Sequence, residues 1–526
     1  MPRKAVTIVL LVAMALGAQA QGLGADAVVL RVGNGGEPRT LDPSQATDDV
    51  EMRIASALFE GLVINDPMTA KAIPGIAERW TFNADFTQVT FKLRESTWSD
   101  GTPITAKTFV DSWLRTLNPR MLTEYAFLIG MIVRGADDYI YEGIGRNRVG
   151  IRALDDRTFQ VDLAGSMPYA VDMMTHPVFS PLPMHVIARN GNEWSAPGVI
   201  VSNGPFILRE WKPGESLTVA RNPAYWDAGT VALDAIVYLP IEDALEAYRR
   251  YDAGSLDWSH GISTDILDEV RKRPDYQVVP QFANYYLVFN VTRKPFDDVR
   301  VRKALAMALD RRELVDQVNH WGHIPTYALV PPMAGYTPAQ GNAFDVQEAR
   351  ALLAEAGYPS GDGFPVVSFI YNTSPNHKKV CEWIQESWLR ILGIETSLID
   401  TEWTSFLRTR SDRHDFFVAR AGWIGDYFDP VTFLDMFVTG CGNNDGLYHN
   451  PLYDAYLADA ALMPDSPARM EALRMAEELL VSRDQAVIPL YYYAEQDLID
   501  TSVWRGWYPN PLGAHHPKFI HKAATD

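Results

Sequence analysis

One acidic side chain, Asp426, sits in the stretch Phe416 to Phe437, FFVARAGWIGDYFDPVTFLDMF, among aromatic residues and the glycines Gly422 and Gly425. A carboxylate withdrawn from water in such a setting needs a cation and donors to compensate it, so this pattern suits capture of the positive end of a ligand. The same residues also describe a turn aspartate beside core aromatics. Enzyme chemistry lacks its usual signatures: there is no G-x-S-x-G, no H-E-x-x-H and no P-loop lysine. Asp297-Asp298 reads as a helix-start signal, and His515-His516, in a proline-rich tail, read as solvated residues rather than ligands. Cys381 and Cys441 fit no metal or redox spacing, and whether they pair stays open. No metal and no cofactor is expected.

Around Asp426 the elements follow from local signals. Phe416, Phe417, Val418 and Ala419 make a short apolar run of the kind that a two-sided sheet buries. Gly422 and Gly425 bracket a segment where backbone can approach another molecule closely. Asp429 as cap and Pro430 as first helical residue open a helix over VTFLDMF, which leaves Trp423, Asp426 and Tyr427 on the connection.

The whole chain, 526 residues and 47% hydrophobic, is long enough for two or three cores. Its first twenty residues read as an export signal: Arg3 and Lys4, an apolar run from Ala5 to Leu16, then Ala18-Gln19-Ala20 as the cleavage site. No cysteine follows that run, so no lipid anchor is expected, and the mature protein reads as exported, soluble and periplasmic. Losing Arg3 and Lys4 takes the net charge from −19 to −21, which disfavours nucleic acid and anionic membranes as partners.

Val28 to Val32 predicts an opening strand before GNGGEP, which lacks a nucleotide-loop spacing. Val89, Phe91 and Leu93 alternate with polar residues as a half-buried strand, and Thr105 caps a helix with Phe109, Val110, Trp113 and Leu114 on its apolar face. Asn284 to Asn290 is a continuous apolar and aromatic strand. Beyond it, helices opened by Asp345, Asn450-Pro451 and Ser466-Pro467 alternate with strands VVSFIYN and IETSLI, which implies a mostly parallel sheet covered on both faces. AVIPLYYYAEQ is a further strand; Tyr491, Tyr492 and Tyr493 on it cannot all face one side.

The run ARAGWIGDYFDPVTFLDMF, with EPRTLDP near the start, LRESTWSDGTPITAKTFVDSWLRTLNP and EWTSFLRTR, resembles the oligopeptide-binding proteins, the extracytoplasmic receptors of peptide ABC importers (bacterial solute-binding protein family 5). The resemblance covers nearly all of the mature chain. It implies an α/β periplasmic-binding-protein fold of type II, with mixed, mostly parallel sheets in two lobes joined by two hinge strands near residues 285 and 491. The expected first lobe is discontinuous (21–54, 186–285, 491–526) with a peripheral subdomain at 55–185, and the second is 286–490. By position, Asp426 inherits the role of receiving the peptide α-amino group, Trp423 and Trp403 those of lining side-chain pockets, and Arg420 and Arg410 those of the pocket floor, where an Arg fork could hold a carboxylate or ordered water. Tyr125 takes the place of a pocket-lining tyrosine, Glu37 lies in the opening motif, His377 matches a histidine near the C-terminal end of longer peptides, and Tyr492 is a ligand-facing member of its strand. The implied partners are an oligopeptide and an ABC permease with its ATPase, bound by a monomer with no enzyme activity. The alternative on the same scaffold is a non-peptide solute such as a metal chelate or sugar; a secreted hydrolase has least support. Two departures stand out: PPMAGYTPAQGN lacks the lysine that assists the ligand carboxylate in some members, and Ile424 excludes a disulfide that some relatives form there.

Overall fold

The structure is a computed structural model that describes residues 26–143, 145–263, 265–319, 322–425 and 427–524. The proposed export signal and Asp426 lie outside the described residues. The chain divides into two compact units: one holds the chain up to Gln277 with Gln496–Pro509 and the segment from Ala514, and the other holds Val278–Glu495 with Asn510–Gly513.

In the first unit, β1 (Val29–Gly33) is buried at the centre of a mixed sheet. The helix that follows, α1 (Asp49–Leu58), starts where Asp48 accepts from Glu51 N–H. A second sheet is wholly antiparallel and consists of β2 (Ala77–Phe82), β3 (Gln88–Leu93), β4 (Ile151–Asp155) and β5 (Thr158–Asp162), in spatial order β2-β3-β5-β4. Val89, Phe91 and Leu93 of β3 are buried and alternate with half-buried polar residues. That alternation builds one core face, against which α2 (Ala106–Thr116) lays Phe109 and Trp113; Thr105 closes a capping box at its start. The main sheet adds β6 (Phe206–Lys212), β7 (Ser216–Arg221), β8 (Ala235–Leu239) and β9 (Trp258–His260). β1 runs parallel to β8 and β9, β6-β7-β8 are antiparallel, and β9 is antiparallel to the segment Asp497–Ile499.

His515 and His516 correct the reading of a solvated tail. Both are buried, and His515 stacks on Trp507 with centroids 4.4 Å apart and meets Trp258 edge-on at 5.2 Å. The prolines did not keep this tail in water, because its aromatic rings find a hydrophobic seat against β9.

The second unit is built on β11 (Val367–Asn372), β12 (Thr396–Thr401), β13 (Val418–Ile424) and the greater part of β10 (Tyr276–Phe289) and β14 (Val487–Ile499), whose residues up to Gln277 and from Gln496 belong to the first unit. β12-β11-β13 are parallel, while β13 runs antiparallel to β10. Helices α3 (Val299–Met307), α4 (Val346–Glu355), α5 (Pro375–Leu392), α6 (Pro451–Ala461) and α7 (Pro467–Glu478) open with Asp298, Asp345, Ser374, Asn450 and Ser466 as caps, each accepting a first-turn N–H. Gly393, in the left-handed region at φ 71°, ends α5. The core between these helices and the sheet gathers Tyr285, Leu287, Phe289, Cys381, Trp388 and Tyr491 among others. Cys381 and Cys441 are both free.

Around β13 the local reading needs two corrections. The strand runs to Ile424, so Gly422 and Trp423 belong to the ladder rather than to the connection. The helix over VTFLDMF is one α-turn, Val431–Leu434, continued by a 3-10 turn, Asp435–Phe437, with Pro430 at the cap position and Asp429 accepting from Val431 N–H. Asp429 is drawn inward by an arginine far along the chain, as described below.

Candidate functional site

β13 presents its side chains alternately to two sides, and its register with β10 decides which candidates can meet: Tyr285 stands opposite Gly422, Asn284 opposite Trp423, and Leu287 opposite Arg420. Gly422 is required by close packing. A Cβ there would lie 2.9 Å from the carbonyl oxygen of Asn284 and 3.4 Å from an Arg420 nitrogen, so the glycine admits the neighbouring strand and the arginine rather than a foreign molecule. Gly425 likewise makes room for the Phe282 ring.

Arg420, on the Gly422 side, lies with its guanidinium 4.9 Å over the Tyr285 ring. Its Nη1 donates to Asn372 Oδ1 at 3.3 Å and its Nη2 to the Tyr493 hydroxyl at 3.4 Å, while Nε is buried without a partner. No carboxylate pairs with it among the described residues. Tyr285 stacks on Tyr491 at 4.8 Å, and Tyr491 on His323 at 4.9 Å, while His377 lies 5.6 Å from Tyr285. Burial drives the His323 pKa down to about 4, and burial followed by the charge of Arg420 does the same for His377. Burial raises the Tyr285 phenol well above its ordinary value. Near neutral pH, His323, His377 and Tyr285 are therefore uncharged while Arg420 keeps its charge. A half-buried cation whose Nε is without a partner is chemically suited to a ligand carboxylate.

On the opposite side of β13, Trp423 is half-buried; its backbone N–H donates to Asn284 Oδ1 at 3.1 Å and its indole N–H to Thr432 Oγ1 at 3.4 Å. Tyr492 also points away from Arg420, donating its hydroxyl to Val330 O at 2.7 Å. The tyrosine beside Arg420 is Tyr493, on the other side of its strand from Tyr492.

Arg410 is committed within the fold: its Nε lies 2.8 Å from Asp445 Oδ2, its guanidinium covers Phe406 at 5.1 Å, and Nη1 donates to Arg420 O at 3.3 Å. Asp445 was not singled out in the sequence, where nothing links it to Arg410. Trp403 is 49% exposed and stacks on Phe406 at 6.0 Å. In the first unit, Glu37 accepts from Trp211 Nε1 at 2.6 Å and from Gly214 N–H at 3.0 Å, which fastens the opening loop to the β6-β7 hairpin. Tyr125 is half-buried and stacked on His176 at 4.9 Å, with Phe127 at 5.6 Å.

Known proteins share the sequence pattern and the fold of this chain. Residues 71–445 match the family model described as bacterial extracellular solute-binding proteins, family 5 middle. The periplasmic oligopeptide-binding protein OppA of Salmonella typhimurium is 36% identical over 496 residues, covering 92% of this chain and 90% of that protein. The structure of the murein tripeptide-binding protein MppA in its unliganded open form superposes with a TM-score of 0.89 at 31% identity, over 95% of this chain and 98% of that one. Haemophilus influenzae OppA in complex with the peptide RPPGFSPFR gives a TM-score of 0.65 at 31% identity, over 94% of this chain and 99% of that one. The α/β fold is thus that of the periplasmic peptide-binding proteins, and this chain belongs to the family 5 bacterial extracellular solute-binding proteins.

Proposed function

We propose that this protein is an exported, periplasmic receptor that captures oligopeptides and delivers them to an ABC importer, acting as a monomer without enzyme activity. Arg420 carries the proposal: a half-buried guanidinium with a buried, unpartnered Nε and no carboxylate partner among the described residues, set over the Tyr285 ring, is a seat for a peptide's terminal carboxylate. The relatives named for oligopeptides, and the one solved with a bound nonapeptide sequence, support the ligand class. Asp426 takes the ammonium end by sequence correspondence, while His377 and Tyr493 lie next to the carboxylate seat. Main-chain hydrogen bonding along the peptide gives affinity shared by many sequences, and Trp403, Trp423 and Tyr125 bound roomy side-chain pockets.

Native mass spectrometry of the protein purified from a periplasmic extract tests this directly. The expected spectrum shows a family of bound masses that fragment as peptides of mixed sequence. One recurring non-peptide mass, displaced by no peptide, would overturn the proposal.

A further inference from the structure

Glu477, on the last turn of α7, is fully buried, and its carboxylate accepts four hydrogen bonds. Oε1 receives the backbone N–H groups of Leu329 and Val330 at 2.9 and 2.7 Å; Oε2 receives the Tyr336 hydroxyl at 2.6 Å and the Ala339 N–H at 2.8 Å. Only a carboxylate can accept from all four, since an amide would turn its own N–H groups toward two of these donors. The titratable groups that face it are Tyr336, Tyr492 and Tyr453, all buried phenols raised above their ordinary pKa first by burial. No basic side chain pairs with it among the described residues, so hydrogen bonds alone hold this charge.

The segment so held leads back to β13. Leu329 O accepts from Asn284 Nδ2 at 2.6 Å, and Asn284 Oδ1 accepts from the Trp423 N–H at 3.1 Å. Val330 O accepts from the Tyr492 hydroxyl at 2.7 Å. The carboxylate thus governs both residues whose carbonyls hold Asn284 and Tyr492, and Asn284 holds the strand at Trp423. A buried side-chain network of this kind is rigid when every member is satisfied and loosens when one is lost.

We propose that Glu477 is a positioning residue for ligand binding: its carboxylate pins the 329–339 segment, which through Asn284 fixes the Trp423 wall of the ligand site. This rests on the peptide reading given above. Because burial pushes the Glu477 carboxyl up to about 7, the group changes charge near neutral pH. Its protonation replaces an acceptor with a donor and slackens the segment, so affinity rises with pH through this range. His323 and His377, held near 4, do not titrate there, and a peptide ammonium keeps its proton up to roughly pH 7.5.

The test is calorimetry with tri-, tetra- and penta-alanine carrying free ends, from pH 5.5 to 7.5, on wild type, Glu477→Gln, Tyr336→Phe and Asn284→Ala, each checked for folding by circular dichroism. Glu477→Gln is expected to lose on the order of tenfold in affinity at pH 7.5 and to flatten the pH profile. Tyr336→Phe, which keeps the carboxylate and three of its bonds, is expected to lose about threefold, and the Glu477→Gln/Asn284→Ala pair less than the product of the single losses. Should Glu477→Gln fail to fold, Tyr336→Phe decides: unchanged affinity and an unchanged pH profile overturn the assignment. Wild-type affinity in a folded Glu477→Gln overturns this assignment alone. A wild-type protein that binds none of the three peptides overturns the peptide reading and this assignment with it.

Discussion

Arg469 of α7 and Asp429 of the segment after β13 form a bidentate ion pair, Nη1 to Oδ2 at 2.6 Å and Nη2 to Oδ1 at 2.8 Å, with side chains 0% and 1% exposed. Asp429 also accepts from Val431 N–H at 3.1 Å, so one carboxylate fixes both the turn and the helix entry next in sequence to Asp426. Arg469→Met strands a buried charge, and urea denaturation is expected to show a loss of about 3 to 5 kcal/mol. Adding Asp429→Asn should cost much less than its single effect, since the two act on one pair. A loss below about 1 kcal/mol for Arg469→Met would contradict this role.

Arg420 makes the opposite prediction for stability. Its guanidinium is paired with no carboxylate among the described residues, so Arg420→Met removes a partly desolvated charge and should leave the melting temperature unchanged or raised. Affinity for free-acid tetra-alanine should fall at least tenfold, about 1.4 kcal/mol, while its C-terminal amide should lose far less. Equal losses for acid and amide would remove Arg420 from carboxylate recognition.

Burial holds His515 neutral and takes its pKa to about 3. The unfolded chain, with an imidazole pKa near 6.5, binds the extra proton first, so the contribution of His515 is present above about pH 6.5 and is lost progressively down toward pH 3. Between pH 7 and pH 5 this group alone should remove about 2 kcal/mol of stability. Chemical denaturation of wild type and His515→Phe at both pH values measures it: the variant should show a drop smaller by that amount, and an identical drop would assign the acid sensitivity to other groups.

Much of the fold was legible in the residues, and the limits of that legibility are physical. Caps such as Thr105, Asp345, Asn450 and Ser466 mark helix starts because they act on donors within the same turn, so sequence alone carries the signal. Strand faces are different. Whether Tyr492 or Tyr493 stands beside Arg420 depends on register with strands far away in the chain, and a one-residue error exchanges the two sides. The pairings Arg410 with Asp445 and Arg469 with Asp429, and the acceptors around Glu477, join distant segments without local pattern. The glycines at 422 and 425, read as places where another molecule could come close, are packed against Asn284 and Phe282 of β10. The tail histidines went inward because ring contacts, His515 on Trp507 and His516 against Phe519, outweighed the polar character of their surroundings.

The central claim, that this receptor grips a peptide by its charged ends, is tested most directly by isothermal calorimetry of tetra-alanine and its N-acetyl form against wild type and Asp426→Asn. Removing one partner of a charge pair that ligand binding withdraws from water costs on the order of 3 to 5 kcal/mol, so N-acetylation or Asp426→Asn alone should weaken binding by roughly a hundred- to several-thousandfold. The two changes together should cost much less than their sum, because both delete one contact. Additive losses, or an Asp426→Asn protein that binds the free-amine peptide as wild type does, would contradict the claim.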